Sequence, residues 1–192
     1  EKTKLARDDL YKLEEYAEKR NDFKQKVLSI KKNRNVQLGE NITLLFENKL
    51  TIQYQIQEML RIEKIFEADA IQEELDAYNP LIPNGKNLKA TMLIEYTNVQ
   101  ERREKLKELK GVERKIWIKL GASAPVFPIA DEDLEREDDT KTSAVHFLRW
   151  EFSESSIKGL KENPNISMGV DHDKYSCNQI ITKSIVDELT SD

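Results

Sequence analysis

Apolar residues near the start of the chain recur at helical spacing: Leu10, Leu13, Tyr16, Phe23, Val27 and Ile30. The pattern predicts one long amphipathic helix from about Asp8 to Asn33, with Asp8 or Asp9 capping its first free N–H groups. Arg20 stands where another apolar residue would continue the stripe. Val36–Leu38 and Ile42–Glu47 then read as short strands around a hairpin-type turn at Gly39-Glu40-Asn41. Thr51–Phe66 fits both periods, but Ile52, Ile56, Met59, Ile62 and Phe66 share a helical face, and the length favours a helix. Ala70–Tyr78 predicts a further short helix, stopped by Pro80 and Pro83.

Beyond Asn84-Gly85 the period shortens. Leu88–Tyr96 predicts a strand with Ala90, Met92, Ile94 and Tyr96 on one face. Gln100–Lys110 is helical and ends at Gly111, a residue suited to the left-handed turn after a helix. Arg114–Leu120 alternates as a half-exposed strand does, and Ser143–Phe152 is another strand. Ser153–Lys161 predicts a helix, Ile166–Val170 a strand and Gln179–Leu189 a terminal helix. Strands interleaved with helices of unequal length, without regular βαβ spacing, predict an α+β class. The expected architecture is a single domain over residues 1–192. It has a mainly antiparallel sheet of about five to six strands, packed by the long N-terminal helix and several shorter ones.

Composition narrows the chemistry. The one Cys excludes a disulfide framework and a Cys-based zinc site within one chain, and the two His leave little for a histidine-rich metal centre. Charged residues make up 35% of the chain, which carries a net charge of −5, so a densely ionic surface surrounds the core. Residues 1–35 are net positive and the remainder net negative. An acidic chain with 7% aromatic residues argues against nucleic acid as a partner in spite of Lys24, Lys26, Lys31, Lys32 and Arg34. No stretch approaches the roughly 20 apolar residues of a membrane helix, and nothing near Glu1 resembles a signal peptide, which predicts a cytoplasmic protein with no membrane partner. Phosphate-binding and dinucleotide-binding glycine motifs are absent, so there is no nucleotide or flavin motif; a Gly-x-Ser-x-Gly elbow is absent too.

The ionisable residues among apolar neighbours are the remaining candidates. His146 lies in a strand pattern that puts it on one side with Ala144, Leu148, Trp150 and Phe152. A buried, hydrogen-bonded structural His is the simpler reading, and a metal ligand or acid/base group the functional one. His172 follows a strand in the polar loop Asp171-His172-Asp173. Convergence of both His on one carboxylate would make a two-His-one-carboxylate site for a divalent metal, with Asp131, Asp133 and Asp171 as further candidate ligands. Asp131 to Asp139 holds seven acids in nine positions and reads first as a solvated acidic turn. Glu58, Arg61 and Glu63 sit within an otherwise apolar helix; Glu58 and Arg61 read as a structural ion pair, with Glu58 as the catalytic candidate. Arg61, Glu63, Arg149 and Tyr175 are candidates for binding an anionic small molecule. Cys177 reads as incidental, since no neighbour suggests a depressed thiol pKa.

Several strings together resemble a known family. They include Gln55-Ile56-Gln57-Glu58-Met59-Leu60-Arg61-Ile62-Glu63, Glu74-Leu75-Asp76-Ala77-Tyr78-Asn79-Pro80, Ala130-Asp131-Glu132-Asp133 and Thr142-Ser143-Ala144-Val145-His146-Phe147-Leu148-Arg149. These resemble the uncharacterised bacterial domain-of-unknown-function family 3501, from about Asp9 to Tyr175. Members are typically encoded beside a rubrerythrin-like protein and a cysteine-rich iron–sulfur protein. The resemblance therefore implies an accessory or interaction protein of a redox or peroxide-stress module, with those two proteins as partners. It carries no catalytic role. An enzyme working through His146 and His172 with nearby carboxylates is the alternative.

Overall fold

In a computed structural model of the chain, which describes residues 3–192, the helical start is divided. Arg7–Asp9 forms a separate 3₁₀ turn, and α1 covers Leu13–Lys31. The Asp9 carboxylate accepts the Ala6 N–H, so it closes the short turn instead of capping the long helix. The hairpin β1 (Asn35–Leu38) and β2 (Ile42–Phe46) precedes α2 (Lys49–Ile62) and α3 (Ala68–Tyr78). Then come β3 (Asn87–Ile94), α4 (Val99–Glu108), β4 (Ile116–Leu120), β5 (Ile129–Ala130) and β6 (Val145–Glu151). The chain finishes with α5 (Glu154–Glu162), β7 (Ile166–His172), β8 (Tyr175–Ile180) and α6 (Lys183–Leu189). Among the described residues, no helix is long and apolar enough to cross a membrane.

Local signals account for most boundaries. Asn48 and Thr51 exchange side-chain and backbone hydrogen bonds at the start of α2, each 2.9 Å, which satisfies two donors that a helix start leaves free. At its other end Lys64 takes a left-handed conformation and Ile65 N–H reaches back to Leu60 C=O at 2.9 Å. Gly111 adopts the left-handed conformation expected of it, at φ +83°.

The architecture is antiparallel α+β, with the strands distributed over two sheets. One has the order β1-β2-β3-β6-β5 and the other β4-β7-β8, and every pairing is antiparallel. Alternate residues of both sheets meet in the main core, including Leu44, Phe46, Met92, Leu148 and Trp150 from the first, and Ile116, Ile118, Met168 and Val170 from the second. Trp150 Nε1 donates to Ile116 C=O at 2.9 Å, tying the sheets together inside that core. The helices α1 to α3 build their own apolar clusters: Tyr16, Phe23 and Val27 with Tyr54, and Ile52, Ile56 and Leu60 with Leu75 and Ile82.

A further boundary departs from the sequence pattern. Residues 175–180 form β8, which takes in Gln179 and Ile180 from the start of the expected terminal helix, and the helix is confined to α6. Tyr175, Cys177 and Gln179 point inward while Ser176, Asn178 and Ile180 face out, and pairing with β7 outweighs the helical reading.

Candidate functional site

A set of buried ionisable groups forms where β5, β6 and the 3₁₀ turn Val112–Arg114 meet. Strand alternation buries His146 completely, on the same face as Leu148 and Trp150. Asp131 follows β5 with φ +53°, a left-handed conformation that Asp tolerates better than most residues. Its N–H donates to Phe147 C=O at 2.8 Å and its Oδ1 accepts Phe147 N–H at 3.0 Å, which clamps it to β6. Its Oδ2 is thereby held 2.6 Å from His146 Nδ1.

The other edge of the imidazole is equally fixed. Nε2 lies 2.9 Å from Ser143 C=O and 2.8 Å from Thr142 Oγ1. Thr142 is itself buried and donates its hydroxyl to Glu113 Oε2 at 3.2 Å. Glu113 is 1% exposed, and its Oε1 has no hydrogen-bond partner among the described residues. Burying a carboxylate oxygen unpaired is costly, so this atom stands out beside the satisfied imidazole of His146 and carboxylate of Asp131. Glu113, Asp131 and His146 each present a ligand atom within 4.8 Å of the others.

A cavity of about 280 Å³ opens beside these groups, lined by Glu113, Arg114 and residues 130–137. Arg136 borders it, bonded to Asp131 at 3.2 Å and to Asp133 at 2.6 and 2.8 Å, with its guanidinium over the Phe147 ring. The hydrogen bonds from Arg136 hold the Asp133 carboxyl below its ordinary range. Asp138 is held down to about 2 by the backbone N–H groups of Thr140 and Lys141. The stretch 131–139 is therefore only partly a solvated acidic turn: Asp131 and Glu137 turn inward, and Glu137 Oε1 is a further buried oxygen without a partner among the described residues.

A family model described as a protein of unknown function, DUF3501, matches residues 4–192. The chain belongs to the DUF3501 family. A crystal structure of a novel protein of unknown function from Burkholderia pseudomallei K96243 is 47% identical, with 97% of each chain covered and a TM-score of 0.91. No curated protein matches this DUF3501 chain.

The remaining sequence candidates lie elsewhere in the DUF3501 fold. His172 ends β7, where its Nε2 donates to Lys110 C=O at 2.9 Å and its Nδ1 accepts Lys174 N–H at 3.1 Å. It stands outside the Glu113–Asp131–His146 group, and neighbouring Asp171 is exposed. Glu58 lies on α2 and pairs with Arg20 of α1, at 2.8 Å from Nη2, and with Tyr54 OH at 3.1 Å. His146, His172 and Glu58 therefore do not converge, and the two-His-one-carboxylate arrangement is overturned. The ion pair expected between Glu58 and Arg61 is replaced by one across two helices. Arg20, the break in the apolar stripe, is the residue that reaches it. Arg61 and Glu63 are exposed at the end of α2.

Arg149 is no free anion receptor, because it forks onto Glu132 at 2.6 and 2.8 Å and onto Glu151 at 2.5 Å. Tyr175 serves the hairpin: its hydroxyl donates to Leu38 C=O and accepts Asn41 N–H at 3.1 Å. Its ring fills the space that a side chain at Gly39 would need. Burial raises the Cys177 thiol, in keeping with an unreactive cysteine.

Sequence reasoning missed Glu113 and Thr142. The alternation of Ile116, Ile118 and Leu120, extended backwards, points Arg114 inward. The 3₁₀ turn breaks that register and buries Glu113 instead.

Proposed function

We propose that this DUF3501 protein binds one divalent cation through Glu113, Asp131 and His146. The observation that carries the reading is the orphan Glu113 Oε1, a buried acceptor with no donor beside a carboxylate–imidazole pair. A cation supplies the positive charge that such an oxygen lacks. Two carboxylates and one imidazole suit Mn²⁺, Fe²⁺ or Zn²⁺ better than the all-oxygen shell preferred by Ca²⁺. Thr142 would act from behind the ligands, orienting both His146 and Glu113, as hydrogen-bonded partners of metal ligands commonly do. Three protein ligands leave positions for water or a substrate oxygen, so the same centre supports Lewis-acid chemistry at the floor of the cavity.

Calorimetric titration with Mn²⁺ and with Zn²⁺ tests the proposal. One saturable site per chain is expected, with binding weakened at least about tenfold in Glu113→Gln and in His146→Gln, and proton release seen as a buffer-dependent enthalpy. Absence of saturable binding for both metals, or equal affinity in Glu113→Gln, overturns it. The redox-module role rests on the family resemblance alone, and its separate test is co-purification with the rubrerythrin-like or iron–sulfur protein.

A further inference from the structure

At the far end of the two-sheet core, away from the carboxylate–imidazole site, β3 and β4 part beneath α5 and α6. They leave a cavity of about 300 Å³. Its wall is mostly apolar and includes Leu88, Leu120, Phe152, Leu160 and Leu189. The helix above it is unusual. Ile157 and Leu160 of α5 turn toward the main core, yet no residue of α5 is fully buried. A surface helix normally covers its apolar stripe against the body of the protein, and here Ile157 and Leu160 stay half-buried because part of that stripe lines the cavity.

Charge at the mouth gives the occupant its polarity. Lys86 and Lys161 both border the cavity and both are exposed. Lys161 makes no ion pair among the described residues, and Lys86 reaches only the exposed Glu154, at 3.6 Å. The one acid on the wall, Asp192, has its carboxylate turned onto Arg34. Asn87 is likewise committed, to Glu151 and to Asn84 N–H. An apolar slot with two ammonium groups at its rim fits a molecule with an aliphatic tail and a single anionic head. At roughly 30 Å³ per non-hydrogen atom the space takes about ten such atoms, the size of an eight-carbon carboxylate. From this geometry we infer that the cavity is a binding site for a medium-chain aliphatic carboxylate, the tail against Leu88 and Leu160 and the head at Lys86 and Lys161.

Titration of the intact protein with butyrate, hexanoate, octanoate, octanol and octyl phosphate, followed by amide chemical shifts, tests this. Affinity should rise about fourfold for each methylene up to octanoate, as expected for burial of a methylene. Shifts should centre on residues 157–166, with octanol binding at least about tenfold more weakly than octanoate. Lys86→Gln/Lys161→Gln, two surface changes that leave the core untouched, should bring octanoate down to the level of octanol. Leu160→Trp, which fills the slot, should abolish both. Equal affinity for octanoate and octanol overturns the anionic assignment, and octyl phosphate binding more tightly than octanoate overturns the carboxylate. Affinity independent of chain length, or no saturable shift at any chain length, overturns the site itself.

Discussion

Arg34 and Glu113 are both fully buried charged residues, and their surroundings differ in one respect. Arg34 donates through Nε to Phe46 C=O at 2.7 Å, through Nη2 to Glu47 C=O at 3.1 Å and to the Asp192 carboxylate, and through Nη1 to Glu188 at 3.0 Å. Four of its five N–H groups have partners, two of them anionic. Glu113 has one neutral hydroxyl donor for one oxygen and nothing for the other. A saturated buried charge is a fastener: Arg34 pins α6 to the end of β2. An unsaturated one carries a cost that the fold alone does not offset, and such costs gather where a site must stay ready for something it binds. Burial by itself therefore marks neither structure nor function, and the completeness of the hydrogen bonding separates them.

Three measurements break or sharpen this contrast. The largest effect is expected for Arg34→Met, which strands two carboxylates and two carbonyls. Urea denaturation should show a loss of about 3–5 kcal/mol, the cost typical of removing one partner of a buried ion pair. A loss under about 1 kcal/mol would mean that Arg34 is no fastener. Next in size is Glu113→Met, which removes the orphan oxygen at similar volume. It should raise stability by about 1 kcal/mol while eliminating Mn²⁺ uptake. Destabilisation by about 2 kcal/mol or more would place Glu113 with Arg34 as a structural group and dissolve the comparison.

The smallest effect concerns Glu58, half-way between the two cases. Burial pushes its carboxyl upward, but the hydrogen bonds from Arg20 and Tyr54 outweigh this and hold it below its ordinary value. A depressed carboxylate adds stability that is complete above the unfolded-state value and fades as pH falls through the folded one. Glu58→Gln should thus lower the urea midpoint at pH 7 and leave it unchanged near pH 3, with denaturation at the two pH values as the check. A midpoint difference that persists at low pH would show that packing, and not charge, is what Gln fails to replace.

Much of the fold was legible because burial on one face leaves a periodic trace. Leu88, Ala90, Met92 and Ile94 alternate, and so do His146, Leu148 and Trp150; all are buried. The interior position of His146 followed from that alternation. Its partner Asp131 was legible as a candidate ligand, but within a run read as solvated, because neighbouring acids look alike until one of them turns inward. Gln179 and Ile180 misled because they end a six-residue edge strand whose Ser, Asn and Gln carry a weak period, and only pairing with β7 decides it.

Local chemistry written along the chain determined the α+β class, the hairpin at Gly39, the left-handed turn at Gly111 and the inward face of β6. Each depends on residues a few positions apart, whose spacing a sequence preserves. Tertiary structure alone decided that Glu113 reaches Thr142 across 29 positions, that Arg34 meets Asp192 across 158, and that Arg20 rather than Arg61 pairs with Glu58. A charge takes its partner from whatever packing brings within hydrogen-bonding distance, and separation along the chain places no limit on that choice.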